Sequence, residues 1–457
     1  MSQSILVVGA GLAGATAALA ARKLAGPSAR VVVVSGPAGL SASWSGRLDV
    51  FGPEGEPRGA EMPWFGPLPK ALPQPARVSR EERWDALTRR RPWHPYMMLG
   101  RSLAQVKAEV EEALALHAAH GPELARLTGP SVLATEGGTA SVADGAAPSA
   151  VLHGGALLER PLVWLSLPGA IRAPEDRCAQ LLEAQLGRSA GSVLVAQAEG
   201  EGYAPKPHEA PVALSRALDA GPESAVGKAM LAAASKALAS APAGALVLLP
   251  PVLGHSLEVA AQWHKALGAA AGRPVVEMVA LEESLHGFRL WRALRAALTK
   301  AGVEVVAGRA SELALTREGG AVRRAKATVA GKAHEWEVSA VVLATGKFLG
   351  GGVRAEAPLR ESLLGLPVML DGELFDNGQP DPTRYLAARP WQDHAVARLG
   401  VGLDARGRAL GDEGRAWASN LYAAGRLVGG THPALDGSAQ GVDLVTGLCA
   451  GRAAAQG

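Results

Sequence analysis

The chain has 457 residues, 48% of them hydrophobic and 19% charged, with a formal net charge of +3. That length allows two or three domains with sizeable cores, and the interspersed acids and bases leave no electrostatic footprint for nucleic acid or an anionic membrane surface. Cys178 and Cys449 lie far apart and outside any Cys-x-x-Cys spacing, so this chain alone builds neither an iron–sulfur cluster nor a zinc site.

The chain opens on an apolar stretch with no basic leader and no cleavage site, which predicts a cytoplasmic protein. Ile5 to Val8 read as a buried strand, Ala15 to Leu24 as a small-residue helix, Gly26-Pro27 as its stop and Val31 to Val34 as a second, parallel strand. In this βαβ unit "GAGLAG" sits directly after a strand and opens a helix. Gly9 permits the tight turn, Gly11 lets a phosphate approach the backbone, and Gly14 lets helix and strand pack closely. The helix N-terminus offers unpaired N–H groups and partial positive charge to that phosphate.

The second strand ends at Ser35, where a dinucleotide site usually presents Asp or Glu to the adenosine ribose. No acid lies between Gly14 and Asp49. Three readings follow: an FAD site that tolerates serine, an NADP site, or a mononucleotide such as FMN whose single phosphate takes the glycine turn. NADP calls for an arginine near the strand end, and Arg47 is too far along, which leaves the flavins. "SASWSGRLDVFG" then supplies a small polar loop, Ser41, Ser43, Ser45 and Gly46, able to approach a planar ring; an ordinary Ser/Gly turn has the same composition.

From Gly52 to Pro95 the chain is rich in Pro and Trp and is expected to lack long regular elements. From Leu99 to Ala280 the pattern alternates helices ("LAQVKAEVEEALALHAAH", "APEDRCAQLLEAQLG") with short strands ("PLVWLSLPG", "GALVLLPP"). The stretches Gly138–Ser149 and Ala198–Pro211 read as surface loops. The most apolar run, "AGALVLLPPVLG" from Ala243, is broken by Pro250 and Pro251 and falls well below the roughly 18 residues a spanning helix needs. From Leu285 a helix, "LHGFRLWRALRAALTKAG", feeds the strand "VEVVAG". "VVLATGKFLGGG" and "NLYAAGRLVGG" follow, each an apolar strand closing on glycines. Strands of this kind far downstream predict a return to the opening domain. The expected architecture is α/β: a Rossmann-like flavin-binding domain built on a parallel sheet from residues 1–95 and 281–457, with a second α/β domain, 96–280, inserted. After the last strand, Asp436, Gly437 and Ser438 precede a helix beginning near Gln440, whose dipole would face the electron-rich edge of a reduced flavin.

These motifs together resemble the two-dinucleotide-binding-domain flavoproteins. More narrowly, four stretches are similar to the B subunits of the anaerobic glycerol-3-phosphate dehydrogenases: "VVGAGLAGATAALA", "SASWSGRLDV", "VVLATGKFLGGGV" with "LRESLLGLPV", and "NLYAAGRLVGGTHPALDGSAQGVDLVTGLCAG". They cover about half the chain, at its two ends. The resemblance implies an FMN-bearing chain that works beside an FAD-containing catalytic subunit and an iron–sulfur subunit that anchors the complex on the inner membrane. It also implies oxidation of glycerol 3-phosphate to dihydroxyacetone phosphate and reduction of quinone; the charge balance implies no nucleic-acid partner. Two departures stand out: Ser438-Ala439-Gln440 replaces a glycine run, and Arg426 stands where many flavoproteins of the broader class carry an acid.

The candidate cofactor-binding residues are Gly9, Gly11, Leu12, Ala13, Gly14, Ser35, Ser45, Gly46, Gly346, Gly425, Arg426, Gly430, Gln440 and Gly441. His432 and His394 are the candidate catalytic side chains, each with a packing or surface role as the plainer alternative. Arg289 is expected near the start of a helix of the flavin domain, and Lys347 is placed to contact phosphate. Two other functions fit the pattern. One is a stand-alone FAD oxidoreductase, because "VVLATGKFLGG" also resembles tRNA-modifying flavoproteins. The other is a non-redox scaffold with a decayed flavin site.

Overall fold

The computed structural model describes residues 3–36, 39–53, 79–152, 156–167, 170, 174–199, 211–280, 284–354, 358–375, 385–387 and 392–457. Its centre is a five-stranded sheet in the order Glu304–Ala307, Arg30–Ser35, Ser4–Val8, Ala340–Leu343, Leu421–Ala423. All neighbours pair in parallel: Val8 lies beside Val34 and Leu343, Val34 beside Val306, and Leu343 beside Ala423. Strands covered on both faces read as continuous apolar runs, which is why "VVVV" at 31–34 is no more than 2% exposed. The expected α/β class with a parallel, discontinuous sheet is therefore present, and all five carboxyl ends meet along one edge.

The opening helix, Leu12–Ala25, and the closing helix, Ala439–Gln456, pack against each other with almost no side chain between them. A Cβ on Gly447 would overlap the Ala13 carbonyl, and one on Gly451 the Ala17 carbonyl. Helix Leu103–Ala118 packs on both of them, with Thr16 Oγ1 2.9 Å from His117 Nε2, so this stretch from the expected inserted segment lies beside the first sheet. An antiparallel meander, Ala310–Glu318, Ala321–Val329 and Lys332–Glu337, also contacts that sheet.

A second parallel sheet runs in the order Val193–Gln197, Leu162–Ser166, Leu246–Leu249, Val275–Glu277. Its last residue is clamped by helix Leu285–Lys300: Arg289 donates from Nη1 and Nη2 to the two Glu277 oxygens at 2.6 and 3.0 Å, both side chains being 0% exposed. Glu277 also accepts from Ser149 Oγ and Leu253 N, and Arg289 Nε donates to Gly254 O, so the buried pair is hydrogen-bonded on all sides. Burial would raise the Glu277 pKa, but the Arg289 guanidinium outweighs it and holds the group at about 2.

Two expectations change. The stretch 138–149 is not a surface loop: Ala140–Ala146 is a buried strand pairing with Arg126–Ala134 and with Arg47–Leu48. It is drawn inward by Asp144, 0% exposed, which accepts from Arg83 Nη1 at 2.6 Å and from the Val50 and Phe51 N–H groups. The Pro-rich excursion also contains a regular element, helix Arg80–Arg90, started by a Ser79/Glu82 capping box and held by that same Arg83. The expected loop at Ala198–Pro211 lies almost wholly outside the described residues. Among the described residues no helix is long and apolar enough to cross a membrane.

Replacing Arg289 with Met strands a carboxylate in the interior. The expected cost is about 3–5 kcal/mol, read as a lower urea midpoint.

Candidate functional site

Ligands of open parallel sheets bind outside the carboxyl ends of the strands, and here those ends frame an open groove. Each strand contributes in turn. Gly9 to Ala13 follow the central strand, Ser35, Gly36 and Ser41 the next, Arg309 and Ala310 the edge strand, Ala344 to Gly346 with Gly350 and Gly351 the fourth, and Gly425 with Arg426 the fifth. Asp443 enters from the closing helix and Trp291 from helix Leu285–Lys300.

The three glycines of the opening turn differ in what they do. Gly9, at φ +113°, lies so close to the fourth strand that a Cβ would overlap the Ala344 carbonyl, and a Cβ on Gly14 would overlap Gly9 O. Both are demanded by packing. Gly11 has ordinary extended dihedrals, φ −70° and ψ −176°, and a Cβ there would meet only Ser41 Oγ, at 3.2 Å. It opens onto the groove, beside a helix whose first N–H, that of Leu12, donates to Ser41 Oγ at 2.9 Å.

Of the sequence-derived residues, Gly9, Gly11, Leu12, Ala13, Ser35, Gly346, Gly425 and Arg426 line this groove together. The structure places the others elsewhere. Ser45 O accepts from Ala280 N and Gly46 backs onto the His286 ring. Gln440 Oε1 accepts from Asp49 N, the Gly441 N–H donates to Asp49 O, and Gly430 lies against the Trp93 carbonyl. The start of the closing helix thus seats on the segment after Leu48, and its second turn, through Asp443, reaches the groove.

Arg309, Arg426 and Asp443 are the charged residues among those lining the groove. Arg426 Nε stands 3.4 Å from Asp443 Oδ1, which is an ion pair without a formed hydrogen bond. Burial raises the Asp443 pKa and Arg426 opposes it. At the other end Ser35, 4% exposed, leaves no carboxylate for a ribose diol. Thr345 Oγ1 is buried without a hydrogen-bond partner among the described residues. A wall rich in glycine and a helix N-terminus form a cradle that fits a phosphate-bearing nucleotide.

Beyond Gly346 the chain enters a second, partly buried polar cluster. Lys347 Nζ donates to Ala397 O at 2.6 Å. Arg91 bridges Asp436 and Asp393, and Arg398 bridges Asp393 and Asp371. Asp436 Oδ2 also accepts the His432 N–H, which fixes the turn after Gly430. The His432 ring is 7% exposed, with neither nitrogen hydrogen-bonded among the described residues, and burial pulls its pKa down to about 4. His394 Nδ1 accepts from Ala387 N, outside the groove.

Sequence reasoning missed Arg309, Thr345 and Asp443. For Arg309 a signal existed, since it follows the glycine that closes "VEVVAG". Within the first βαβ unit no basic residue stands close after Ser35, and the strand that supplies one is its sheet neighbour but lies about 270 residues later.

No protein-family model matches the chain. A protein of Halobacterium salinarum, named as the probable B subunit of an anaerobic glycerol-3-phosphate dehydrogenase, aligns over 100% of this chain and 98% of its own length at 29% identity. The chain is similar to this B subunit from end to end. The corresponding B subunit of Yersinia enterocolitica shares 32% identity over 44% of this chain and 45% of its own. Among solved structures, a 3-ketosteroid delta1-dehydrogenase from Sterolibacterium denitrificans is 11% identical, covers 99% of this chain and 100% of its own, and superposes with a TM-score of 0.42.

Lys347 gives the cluster a pH signature. Burial first, then Arg426, lowers its pKa from 10.5 to about 7. Between those values the unfolded chain binds a proton the folded chain does not, so stability rises with pH by up to about 1.4 kcal/mol per unit from this group. Urea unfolding at successive pH values across that window is expected to show the rise, and Lys347→Met to flatten it.

Proposed function

We propose that the chain holds FMN along the carboxyl edge of its first sheet and serves as the B subunit of an anaerobic glycerol-3-phosphate:quinone oxidoreductase. The observation that carries the reading is the groove itself: a glycine turn at a helix N-terminus, with Ser35 where a dinucleotide site has its ribose-binding acid. End-to-end similarity to a protein named for glycerol 3-phosphate supports the choice of reaction, in which that compound is oxidised to dihydroxyacetone phosphate.

When bound, the flavin supplies redox chemistry that no side chain can. The chain's own residues bind and orient it. Gly11 and the first-turn N–H groups beyond that of Leu12 receive phosphate, and Thr345, Gly346 and Gly425 line the middle of the groove. Arg426, neutralised by Asp443, sits at its far end. Lys347, held by the Ala397 carbonyl, adds a buried amine behind that end. With two isolated cysteines the chain passes electrons to a partner: beside it stand an FAD-containing catalytic subunit and an iron–sulfur subunit that docks on the inner membrane, this chain remaining on the cytoplasmic side.

A second reading, a stand-alone oxidoreductase holding FAD, is favoured by one observation. Five strand ends at a spacing of about 4.8 Å make a groove roughly 19 Å long, enough for a dinucleotide.

The purified chain is expected to be yellow, and mass spectrometry of the released cofactor to identify FMN. Release of FAD would support the second reading, and colourless protein that takes up neither flavin would overturn both. Gly11→Val should fold normally, at a cost on the order of 1 kcal/mol for the poorer helix cap, yet lose its flavin. Retained flavin content in that variant would remove the groove from consideration.

A further inference from the structure

One cation of the groove is left unused by the flavin reading. Arg309 follows Gly308, whose N–H donates to Ser35 O at 2.8 Å, so the edge strand delivers it beside the serine that replaces the acid. Its backbone and Cβ lie 3.7 Å from the position of a Cβ on Gly36. Its guanidinium reaches to the loop leaving the fourth strand, where Nη2 stands 3.4 Å from Gly351 O, and a Cβ on Gly351 would overlap that nitrogen. In the sheet order the strands Arg30–Ser35 and Ser4–Val8 lie between these two attachment points. The side chain therefore links the edge strand to the loop leaving the fourth strand, and both of these line the groove.

The two arginines of the groove are in different states. Arg426 is paired with Asp443. Arg309 is exposed, has no ion pair among the described residues, and its contact with Gly351 O is at the long limit of a hydrogen bond. A guanidinium presents a planar fork of donors that matches a phosphate, and it lines the same groove as a helix N-terminus that also favours an anion.

We infer that Arg309 is a phosphate clamp: its guanidinium leaves the Gly351 carbonyl and closes on the phosphate of the nucleotide seated at the glycine turn. The inference rests on the flavin reading for the identity of the nucleotide, and on the groove alone for the phosphate. The grip is on phosphate as a group, whether the monoester of FMN or the pyrophosphate of FAD.

The test compares wild type, Arg309→Ala and Arg309→Lys, with folding checked by circular dichroism. Flavin-free protein is titrated with FMN, FAD and riboflavin, and its melting temperature is measured with and without inorganic phosphate. Arg309→Ala is expected to bind FMN or FAD roughly tenfold to a hundredfold more weakly while its affinity for phosphate-free riboflavin is unchanged. Arg309→Lys, which keeps the charge and loses the fork, should fall between. Phosphate is expected to raise the melting temperature of wild type and not of Arg309→Ala. Equal losses for riboflavin and the nucleotides, or no loss for any, would overturn the clamp. If wild type takes up no flavin, the flavin reading fails and the phosphate arm decides alone: a rise abolished in Arg309→Ala supports the clamp, and no rise, or one that survives the substitution, overturns it.

Discussion

The contact on which the rest depends is the backbone-to-backbone meeting of the opening and closing helices. Helices packed through ordinary side chains lie 8–10 Å apart, and at such a distance the residues after the last strand would stand away from the glycine turn. Gly447 and Gly451, four residues apart, remove the side chains that would impose it. Thr446, next to the first of them, accepts the Gly425 N–H at 2.8 Å, and a Cβ on Gly425 would press on the Ala13 methyl. Segments more than 400 residues apart thus become two walls of one groove.

The electrostatics follow from that geometry. The opening helix presents its positive end to the groove, the acid usual after the second strand is a serine, and the single lining carboxylate, Asp443, is engaged by Arg426. The half of the groove nearest Ser35 therefore favours an anion. Behind the opposite half, Arg91, Arg398, Asp393 and Asp436 compensate one another in a partly buried network that fixes the turn carrying His432. Buried charges of this kind persist only when paired. The same rule governs Arg83 with Asp144 and Arg289 with Glu277, which tie helix Arg80–Arg90 to strand Ala140–Ala146 and helix Leu285–Lys300 to the second sheet.

The parallel sheet was legible because buried strands are written as unbroken apolar runs, as at Ile5–Val8 and Val341–Leu343. The glycine turn was legible because its three roles are local. Misreadings arose where a distant partner overrode local composition. Residues 140–146 are small and turn-like, and become a strand because Asp144 is needed by Arg83. The Pro-rich excursion yields a helix at 80–90 because that same arginine anchors it. Gln440 and Gly441, expected to approach a flavin, instead meet Asp49, and the groove receives the next turn of their helix.

By itself the sequence determined the class of fold, the strand–turn–helix that can receive a phosphate, and the lack of a ribose-binding acid at Ser35, since each is set by residues within one element and its immediate turn. Only the tertiary structure decided which residues share the groove. Arg309, Thr345, Arg426 and Asp443 come from four separate segments, and their meeting depends on strand order and on how closely two helices approach, quantities that no single stretch of chain encodes.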